Sequence, residues 1–109
     1  MSANVSLDGW DITSAADTEW MPWGSSGKAT AKVLGSADGF VVALVRAEPG
    51  YTGDAHVHAH PELFYLVDGA LRNQGREMVA GDGYAAAAGS SHDEFATDTG
   101  ATYVVVFRI

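Results

Sequence analysis

Residues 50–69 read GYTGDAHVHAHPELFYLVDG, and they contain three of the four histidines of the chain. His56 and His58 are two positions apart, so on a β-strand both side chains point to the same face. A helix is disfavoured here, because Pro61 would interrupt its first turns and a glycine lies just upstream. Glu62 can begin the next strand and point the same way. We therefore expect two imidazoles and one carboxylate to converge inside the fold.

Such a convergence needs a compensating partner. Burying a carboxylate and two imidazoles costs several kcal/mol unless the groups are paired. A divalent cation would neutralise the carboxylate and use the lone pairs of all three side chains. Imidazole and carboxylate together suit first-row transition metals. On local spacing alone, a solvated patch of surface histidines stays open as the alternative.

Composition limits the classes of function. The chain has 109 residues, which predicts one domain, and a formal net charge of -8 from 14 acidic and 6 basic side chains. This charge repels phosphate, so we expect neither nucleic acid nor an anionic membrane as a partner. The absence of cysteine excludes disulfides and thiolate chemistry. With no secretory signal and no spanning segment visible, we expect a cytoplasmic protein.

Turn residues recur roughly every 8 to 12 positions along the sequence, and this spacing predicts an all-β sandwich or barrel. Residues 28–35 and 41–47 are expected as two strands around a turn. The Asp68-Gly69 pair, between 62–67 and 70–73, is typical of a hairpin turn. A further turn is expected within 73–77, another at Gly81–Gly83, and a last strand over 101–109. Residues 1–24, with three tryptophans, are expected as an arm over the 25–109 barrel that could carry one short strand. A helical turn could form only in this arm or in the YAAAAG segment.

The fourth histidine extends the pattern across nearly half of the chain. The spacing resembles the two motifs of the cupin superfamily, G-x5-H-x-H-x3,4-E-x6-G and G-x5-P-x-G-x2-H-x3-N. The first motif is matched at every specified position by Gly50, His56, His58, Glu62 and Gly69. The second is matched by Gly81, Gly89 and His92, with Ala87 in place of its proline and Ala96 in place of its asparagine.

The resemblance implies a small antiparallel jelly-roll barrel, the double-stranded β-helix of cupins, with six to eight strands. It implies one divalent transition metal per chain, with Fe(II) favoured and Mn, Ni, Co, Cu or Zn as alternatives. Gly69 and Gly81 are expected in tight turns. The implied metal ligands are His56, His58, Glu62 and His92.

Several other residues are candidates for the site. Phe64 and Leu66 share the strand parity of Glu62 and are expected to line the pocket. Glu94, two residues after His92, could orient a histidine, although a solvated loop is the simpler interpretation. His60 is expected in a loop at the barrel mouth. The remaining predicted wall residues are Tyr84, Phe95, Tyr103 and Phe107, each of which could equally belong to the barrel core.

Four protein ligands on an octahedral ion leave two open positions, which is typical of a catalytic site. The pieces LVRAEPG, HAHPELFYLVDG and AGDGY…AAGSSH resemble the small cupins that include diketone and hydroxyacetophenone dioxygenases and the cupin domains of anti-sigma factors. We therefore expect a metal-dependent dioxygenase acting on a small dicarbonyl or hydroxylated aromatic compound. A non-redox isomerase or cyclase, or a binding module without turnover, stays open. By analogy with cupins, a homodimer is expected.

Overall fold

The computed structural model describes residues 4–109, and within them it confirms the all-β prediction. The strands are β1 (Asn4–Leu7), β2 (Trp10–Thr13), β3 (Met21–Pro22), β4 (Ala29–Ala37), β5 (Phe40–Ala47), β6 (Tyr51–Thr52), β7 (His56–Val57), β8 (Glu62–Asn73), β9 (Arg76–Val79), β10 (Gly83–Ala86), β11 (Ser91–His92), β12 (Phe95–Thr97) and β13 (Ala101–Arg108). The described strands outnumber the six to eight expected, because several barrel strands are broken at bends into segments of two to four residues. None of the described helices is long and apolar enough to cross a membrane.

One curled antiparallel sheet makes up most of the molecule. Its strands follow the order β3-β4-β5-β13-β8-β12-β6, and both β9 and β10 also pair with β8. Two smaller ladders lie beside it, β1 with β2 and β7 with β11. From β5 onward, neighbouring strands in this order are far apart in the sequence, as in the expected jelly roll. A pairing of the same long range joins β7 to β11 and brings their motif residues together.

The core follows the two-residue period of the strands. Along β5, the side chains of Val41, Ala43, Val45 and Ala47 are buried, while the residues between them are partly or fully exposed. Leu66 on β8 is fully buried, which is worth about 1.5–3 kcal/mol relative to exposure. The inner face therefore supplies the hydrophobic core, and the apolar residues of the outer face remain partly exposed.

The predicted hairpin at Asp68-Gly69 is wrong, since both residues lie inside the continuous strand β8. Thr102 pairs with Asp68 and Tyr103 pairs with Leu66, so Val67 forms a β-bulge. Gly69 has φ +85°, and a Cβ there would lie 2.2 Å from the carbonyl oxygen of Gly100. This glycine permits a bend and a close approach of β13, rather than a tight turn.

The other turn predictions are confirmed. Gln74 and Gly75 have φ of 52° and 76° and join β8 to β9 as a two-residue hairpin loop. Gly81 lies in the turn before β10, where the carboxylate of Asp82 accepts a hydrogen bond from the backbone N–H of Val79 at 2.9 Å. The YAAAAG segment carries β10 rather than a helical turn.

Part of the 1–24 segment is built into the main sheet. Met21 of β3 pairs with Ala31 of β4. The ring of Trp20 lies under the charged groups of Lys32 and Arg46, at 4.8 and 4.3 Å from its centroid. The segment also holds a single 3-10 turn at Ala15–Asp17. Residues 1–3 of the expected arm lie outside the described residues.

Candidate metal centre

Three histidines converge where β7 pairs with β11. His92 lies directly opposite His56 in this ladder. His58 is held beside them, because its backbone N–H donates to Ser90 and its carbonyl accepts from Gly89, at 2.8 and 2.7 Å. One ring nitrogen from each of the three imidazoles lies within 4.8 Å of the others. The structure thus brings together the histidines of both sequence motifs.

The burial of this cluster is unequal. His58 and His92 are 7% and 8% exposed, whereas the side chain of His56 is exposed. Burial lowers the pKa of His92, which favours the neutral, metal-binding form of imidazole. Nε2 of His58 is buried and has no hydrogen-bond partner among residues 4–109. A buried nitrogen without a partner is unusual, and a metal ion would satisfy it.

Hydrogen bonds fix the tautomer of each imidazole. Nδ1 of His56 lies 2.9 Å from the carbonyl oxygen of Asp54, which can only accept, so this nitrogen carries the proton. The hydroxyl of Ser90 donates to Ala87 at 2.6 Å and so accepts from Nδ1 of His58 at 3.0 Å. In both rings, Nε2 is therefore the nitrogen with the free lone pair.

His92 makes its hydrogen bond through Nε2 rather than Nδ1. Its Nε2 lies 2.6 Å from Oδ1 of Asn73, the last residue of β8, and donates to it. This leaves Nδ1 as the lone-pair nitrogen of His92. Asn73 was not predicted from the sequence, because it lies 19 positions from His92 and no local spacing connects the two residues. Such partners of ligating histidines commonly set the ring orientation.

Glu62 begins β8, as predicted, and its carboxylate lies at the edge of the cluster. Oε2 of Glu62 is 3.7 Å from Nε2 of His58, and it accepts a hydrogen bond from the hydroxyl of Tyr84 at 2.5 Å. Burial raises the pKa of Tyr84, and the hydrogen bond to Glu62 raises it further, so the phenol stays protonated. Glu62 is therefore near enough to contribute a fourth ligand, but it is held by Tyr84 here.

These donors fit a transition-metal ion. Two nitrogens bound to one ion can be at most about 4.2 Å apart, twice the bond length of roughly 2.1 Å. The separation between His58 and Glu62 meets this limit, and the 4.8 Å spread of the histidine nitrogens needs only a small inward movement of the side chains. Neutral imidazoles with a carboxylate at the edge form a donor set for Fe, Mn, Co, Ni, Cu or Zn.

Two of the predicted residues lie away from this cluster. The carboxylate of Glu94 accepts from the backbone N–H of Gly75 at 2.8 Å and lies 3.8 Å from Nε of Arg72. It stabilises the loop between β8 and β9, which agrees with the simpler interpretation of Glu94 as a loop residue rather than as a partner of a histidine. His60 is exposed in the bend before β8, as expected for a loop residue.

A cavity of about 290 Å³ opens beside the histidines. Of the predicted wall residues, Phe64, Tyr84, Phe95 and Tyr103 do line it. Leu66 does not line the cavity. It lies two residues beyond Phe64 on β8, where its side chain is fully buried in the core. The complete lining is Trp23, Gly24, Tyr51, Gly53, Asp54, His56, Glu62, Phe64, Tyr84, His92, Phe95, Tyr103 and Val105.

Part of the cavity wall was not predicted from the sequence. Trp23, Tyr51 and Asp54 come from segments that were interpreted as an arm and a loop. Phe107, predicted as wall, instead packs edge-on against Trp23, with 5.7 Å between ring centroids. The tryptophans of the 1–24 segment were noted, but no periodicity in that segment connects any of them with the barrel interior.

Aromatic rings form most of one side of the cavity. Phe64 and Tyr84 are stacked, with 4.6 Å between centroids and 7° between planes. Phe95 lies between the site and the inner wall, with its centroid 5.2 Å from that of His92 and 5.4 Å from that of Tyr103. The histidines therefore lie beside an open cavity with largely aromatic walls.

A curled antiparallel barrel with a histidine cluster inside one end defines a small cupin. Within that superfamily, the chain belongs to the family described as the ChrR Cupin-like domain, whose model matches residues 10–108. A comparison of the sequence with curated proteins gives no significant match.

Solved structures of the same fold have different named activities. A candidate acetylacetone dioxygenase from Methylibium petroleiphilum has a TM-score of 0.81 at 18% identity, over 95% of this chain and 80% of the other. An acetylacetone dioxygenase from Acinetobacter johnsonii has a TM-score of 0.75 at 16% identity, over 95% and 76%. The polyketide cyclase RemF from Streptomyces resistomycificus has a TM-score of 0.75 at 21% identity, over 88% and 77%. At such identities, the likeness establishes the fold.

Proposed function

We propose that this chain is a metal-dependent cupin enzyme, and specifically a dioxygenase acting on a small dicarbonyl or hydroxylated aromatic compound. The observation that carries the proposal is the buried Nε2 of His58, which has no hydrogen-bond partner among residues 4–109 and belongs to a three-histidine cluster beside an aromatic cavity. A structural metal site would be closed by protein ligands on all sides. This cluster instead opens on a space large enough for a small molecule.

The metal would be held by His56, His58 and His92, with Glu62 as the fourth ligand. When bound, iron(II) would supply the chemistry of oxygen activation, and zinc would supply Lewis acidity alone. The protein contributes neutral imidazoles of fixed tautomer. Asp54, Ser90 and Asn73 each hold the second nitrogen of one ring. The ligand atoms are thus oriented before the metal arrives.

The cavity supports a small neutral substrate. Its volume of about 290 Å³ is at the lower end of the range for small-molecule pockets. None of the described residues that line it is a lysine or an arginine, whereas Asp54 and Glu62 do line it. An extended anion such as a phosphate ester would meet two carboxylates and no basic side chain. The aromatic walls would exclude water from a flat, apolar molecule.

The fold similarity to two proteins named as acetylacetone dioxygenases supports this choice of reaction. A non-redox isomerase or cyclase, with the metal as a Lewis acid, is the second candidate. The equally similar fold of the cyclase RemF favours it. Binding without turnover is the third outcome that an experiment must separate. A cytoplasmic location stays a prediction from the sequence.

Oxygen consumption separates these candidates. Protein loaded with iron(II) or zinc is mixed with small β-dicarbonyls and hydroxyaryl ketones, and both oxygen uptake and substrate loss are followed. We expect uptake with iron only, in proportion to substrate loss, and at least a 100-fold loss of rate in His58→Ala. Substrate loss that continues without oxygen and with zinc would support the Lewis-acid candidate. No turnover with either metal would contradict both enzyme proposals.

The resident metal is identified by elemental analysis of protein purified without added metal. We expect close to one transition-metal ion per chain and less than a tenth of that amount in His58→Ala. His60→Ala is the matched control, since this histidine lies in the same segment but outside the cluster. A metal content near zero in the unmodified protein, with none acquired on dialysis against iron or zinc, would contradict the metal site.

A further inference from the structure

Tyr84 joins the histidine cluster to the wall of the cavity. In the ladder between β10 and β8 it lies opposite Phe64, and Glu62 is its diagonal neighbour two residues earlier on β8. The ring of Tyr84 is stacked on that of Phe64 and lies edge-on to that of His92, with 4.6 and 6.0 Å between centroids. The strand pairing and these ring contacts therefore fix the position of its hydroxyl.

The hydroxyl of Tyr84 is bonded to the oxygen of Glu62 that faces His58. It donates to Oε2 at 2.5 Å, and the same Oε2 is 3.7 Å from Nε2 of His58. That Nε2 is buried and has no hydrogen-bond partner among residues 4–109. A carboxylate oxygen has two lone pairs. Oε2 can thus accept from Tyr84 with one lone pair and bind an ion beside His58 with the other.

The hydrogen bond restricts how Glu62 can bind such an ion. A carboxylate that binds through both oxygens must turn until the two oxygens are about equally distant from the ion. This turn would draw Oε2 out of line with the hydroxyl of Tyr84, whose ring is held in place by the stacking on Phe64. Hydrogen bonds to carboxylates are strong, and they weaken steeply when bent. Binding through Oε2 alone keeps this hydrogen bond, whereas binding through both oxygens breaks it.

The number of oxygens that Glu62 supplies decides how many positions on the ion stay free. Three imidazoles and one carboxylate oxygen fill four of the six positions of an octahedral ion, and a second oxygen would fill a fifth. A molecule that chelates the ion through two oxygens needs two free positions, whereas a ligand that binds through one atom needs only one. The cavity beside the cluster has room for a small chelating molecule, and both Tyr84 and Glu62 line it.

Resting on the metal site of the proposed function, we propose that Tyr84 is a positioning residue that limits Glu62 to one metal–oxygen bond. Its hydroxyl keeps Oε2 as the only ligating oxygen, and two positions on the ion stay free. The site therefore accepts molecules that chelate through two oxygens, and a residue that is not itself a ligand makes this possible.

Tyr84→Phe tests this role, because it removes the hydroxyl and keeps the stacked ring. Cobalt(II) takes the same imidazole and carboxylate ligands, and its visible absorption changes when another molecule binds to it. Cobalt-loaded protein is titrated with acetohydroxamate, which chelates through two oxygens, and with azide, which binds through one nitrogen. Both probes bind as anions, so the charge of the cavity affects them alike.

We expect Tyr84→Phe to bind acetohydroxamate about 10-fold more weakly, as for the loss of one hydrogen bond to a charged group. Its affinity for azide should change less than 3-fold, since one position stays free in either case. Tyr65→Phe is the matched control, because this tyrosine is 53% exposed on the opposite face of β8. It should bind both probes as the unmodified protein does.

A second control places Tyr84→Phe in a Glu62→Gln background, where the side chain at this position has only one oxygen. The added substitution should change the acetohydroxamate affinity less than 2-fold there, because Tyr84 acts through the carboxylate alone. A purely structural role of Tyr84 would lower the affinity in both backgrounds and for both probes. The cobalt content of each variant is measured by elemental analysis.

The outcomes separate this proposal from the metal site itself. The role of Tyr84 is overturned if the two probes change equally in Tyr84→Phe, if neither changes, or if the loss persists in the Glu62→Gln background. It is also overturned if the loaded, unmodified protein does not bind acetohydroxamate. In these cases the cobalt content still supports the metal site. Unmodified protein that takes up no cobalt would overturn both.

Discussion

Oδ1 of Asn73 and Nε2 of His92 lie 2.6 Å apart, so the end of β8 determines which nitrogen of a histidine on β11 is free. The amide oxygen accepts the Nε2 proton, and Nδ1 keeps its lone pair. A residue that is not a ligand thus sets the chemical form of one. His56 and His58 are fixed by local partners, whereas His92 depends on the packing of β8 against the motif strands.

The first prediction follows from this contact. Asn73→Ala should weaken zinc binding about 10- to 100-fold, as is typical when the hydrogen-bond partner of a ligating histidine is removed. Competition with a chelating dye measures the affinity. Asn73→Asp keeps an acceptor at the same place and should recover most of the loss. Tighter binding in Asn73→Ala would contradict the assignment, because it would mean that the amide competes with the metal for Nε2.

The second prediction concerns the register of HVHAH. His58→Ala should reduce zinc affinity by at least 100-fold, since it removes the buried nitrogen that has no hydrogen-bond partner among the described residues. His60→Ala should change it less than 3-fold, because His60 is exposed in the bend before β8. The same competition assay compares the two variants. Equal losses would show that His60 also belongs to the site.

The convergence of the histidines could be predicted because it depends on short-range rules. Side chains two apart share a face of a strand, which places His56 with His58. The cupin-like spacing then adds His92 from the second motif. Glu62 begins its own strand directly after the proline, as expected, and its carboxylate reaches His58. Local periodicity and the two motifs were sufficient to predict that these four residues lie close together.

The errors and omissions have a common physical cause, which is contact between distant segments. Asp68-Gly69 has the composition of a turn, but both residues pair with β13, and a bulge at Val67 keeps β8 continuous through them. The buried side chains of β8 change parity between Leu66 and Leu71 because of that bulge, but the sequence is apolar on both faces over 63–67 and does not reveal the change. Asn73 and Tyr51 are assigned to the site only by how β8, β6 and β12 pack, which no local pattern encodes.

The third prediction tests the role of Gly69 in the bend of β8. Gly69→Ala would place a methyl group against the carbonyl of Gly100 and force alanine into positive φ, so we expect a large loss of stability. Gly75→Ala is the matched control, because it has φ +76° and no atom within 4 Å of the added Cβ. It should lose only about 1–2 kcal/mol, the cost of the left-handed backbone.

Thermal unfolding followed by circular dichroism measures both glycine variants. For a domain of this size, about 1 kcal/mol corresponds to a shift of roughly 4–8 °C in Tm. We expect the Tm of Gly69→Ala to fall at least twice as far as that of Gly75→Ala, or the variant to be unfolded at room temperature. Equal shifts would mean that β13 can move away from β8 at little cost.

The last prediction concerns the outer face of the main sheet, where the homodimer expected from the sequence would form. Leu63, Tyr65 and Val67 on β8 are 50%, 53% and 45% exposed, a row of large apolar side chains that favours an interface over free contact with water. We predict a dimer of about 23 kDa, twice the 11.4 kDa of the chain, by light scattering at micromolar concentration.

Leu63→Glu should give a monomer, because it adds a charge to each side of a symmetric contact between chains that already have a net charge of -8. Val79→Glu, on β9, is the control with similar exposure and should stay dimeric. A monomeric unmodified protein would contradict the prediction and leave this row of side chains without a partner.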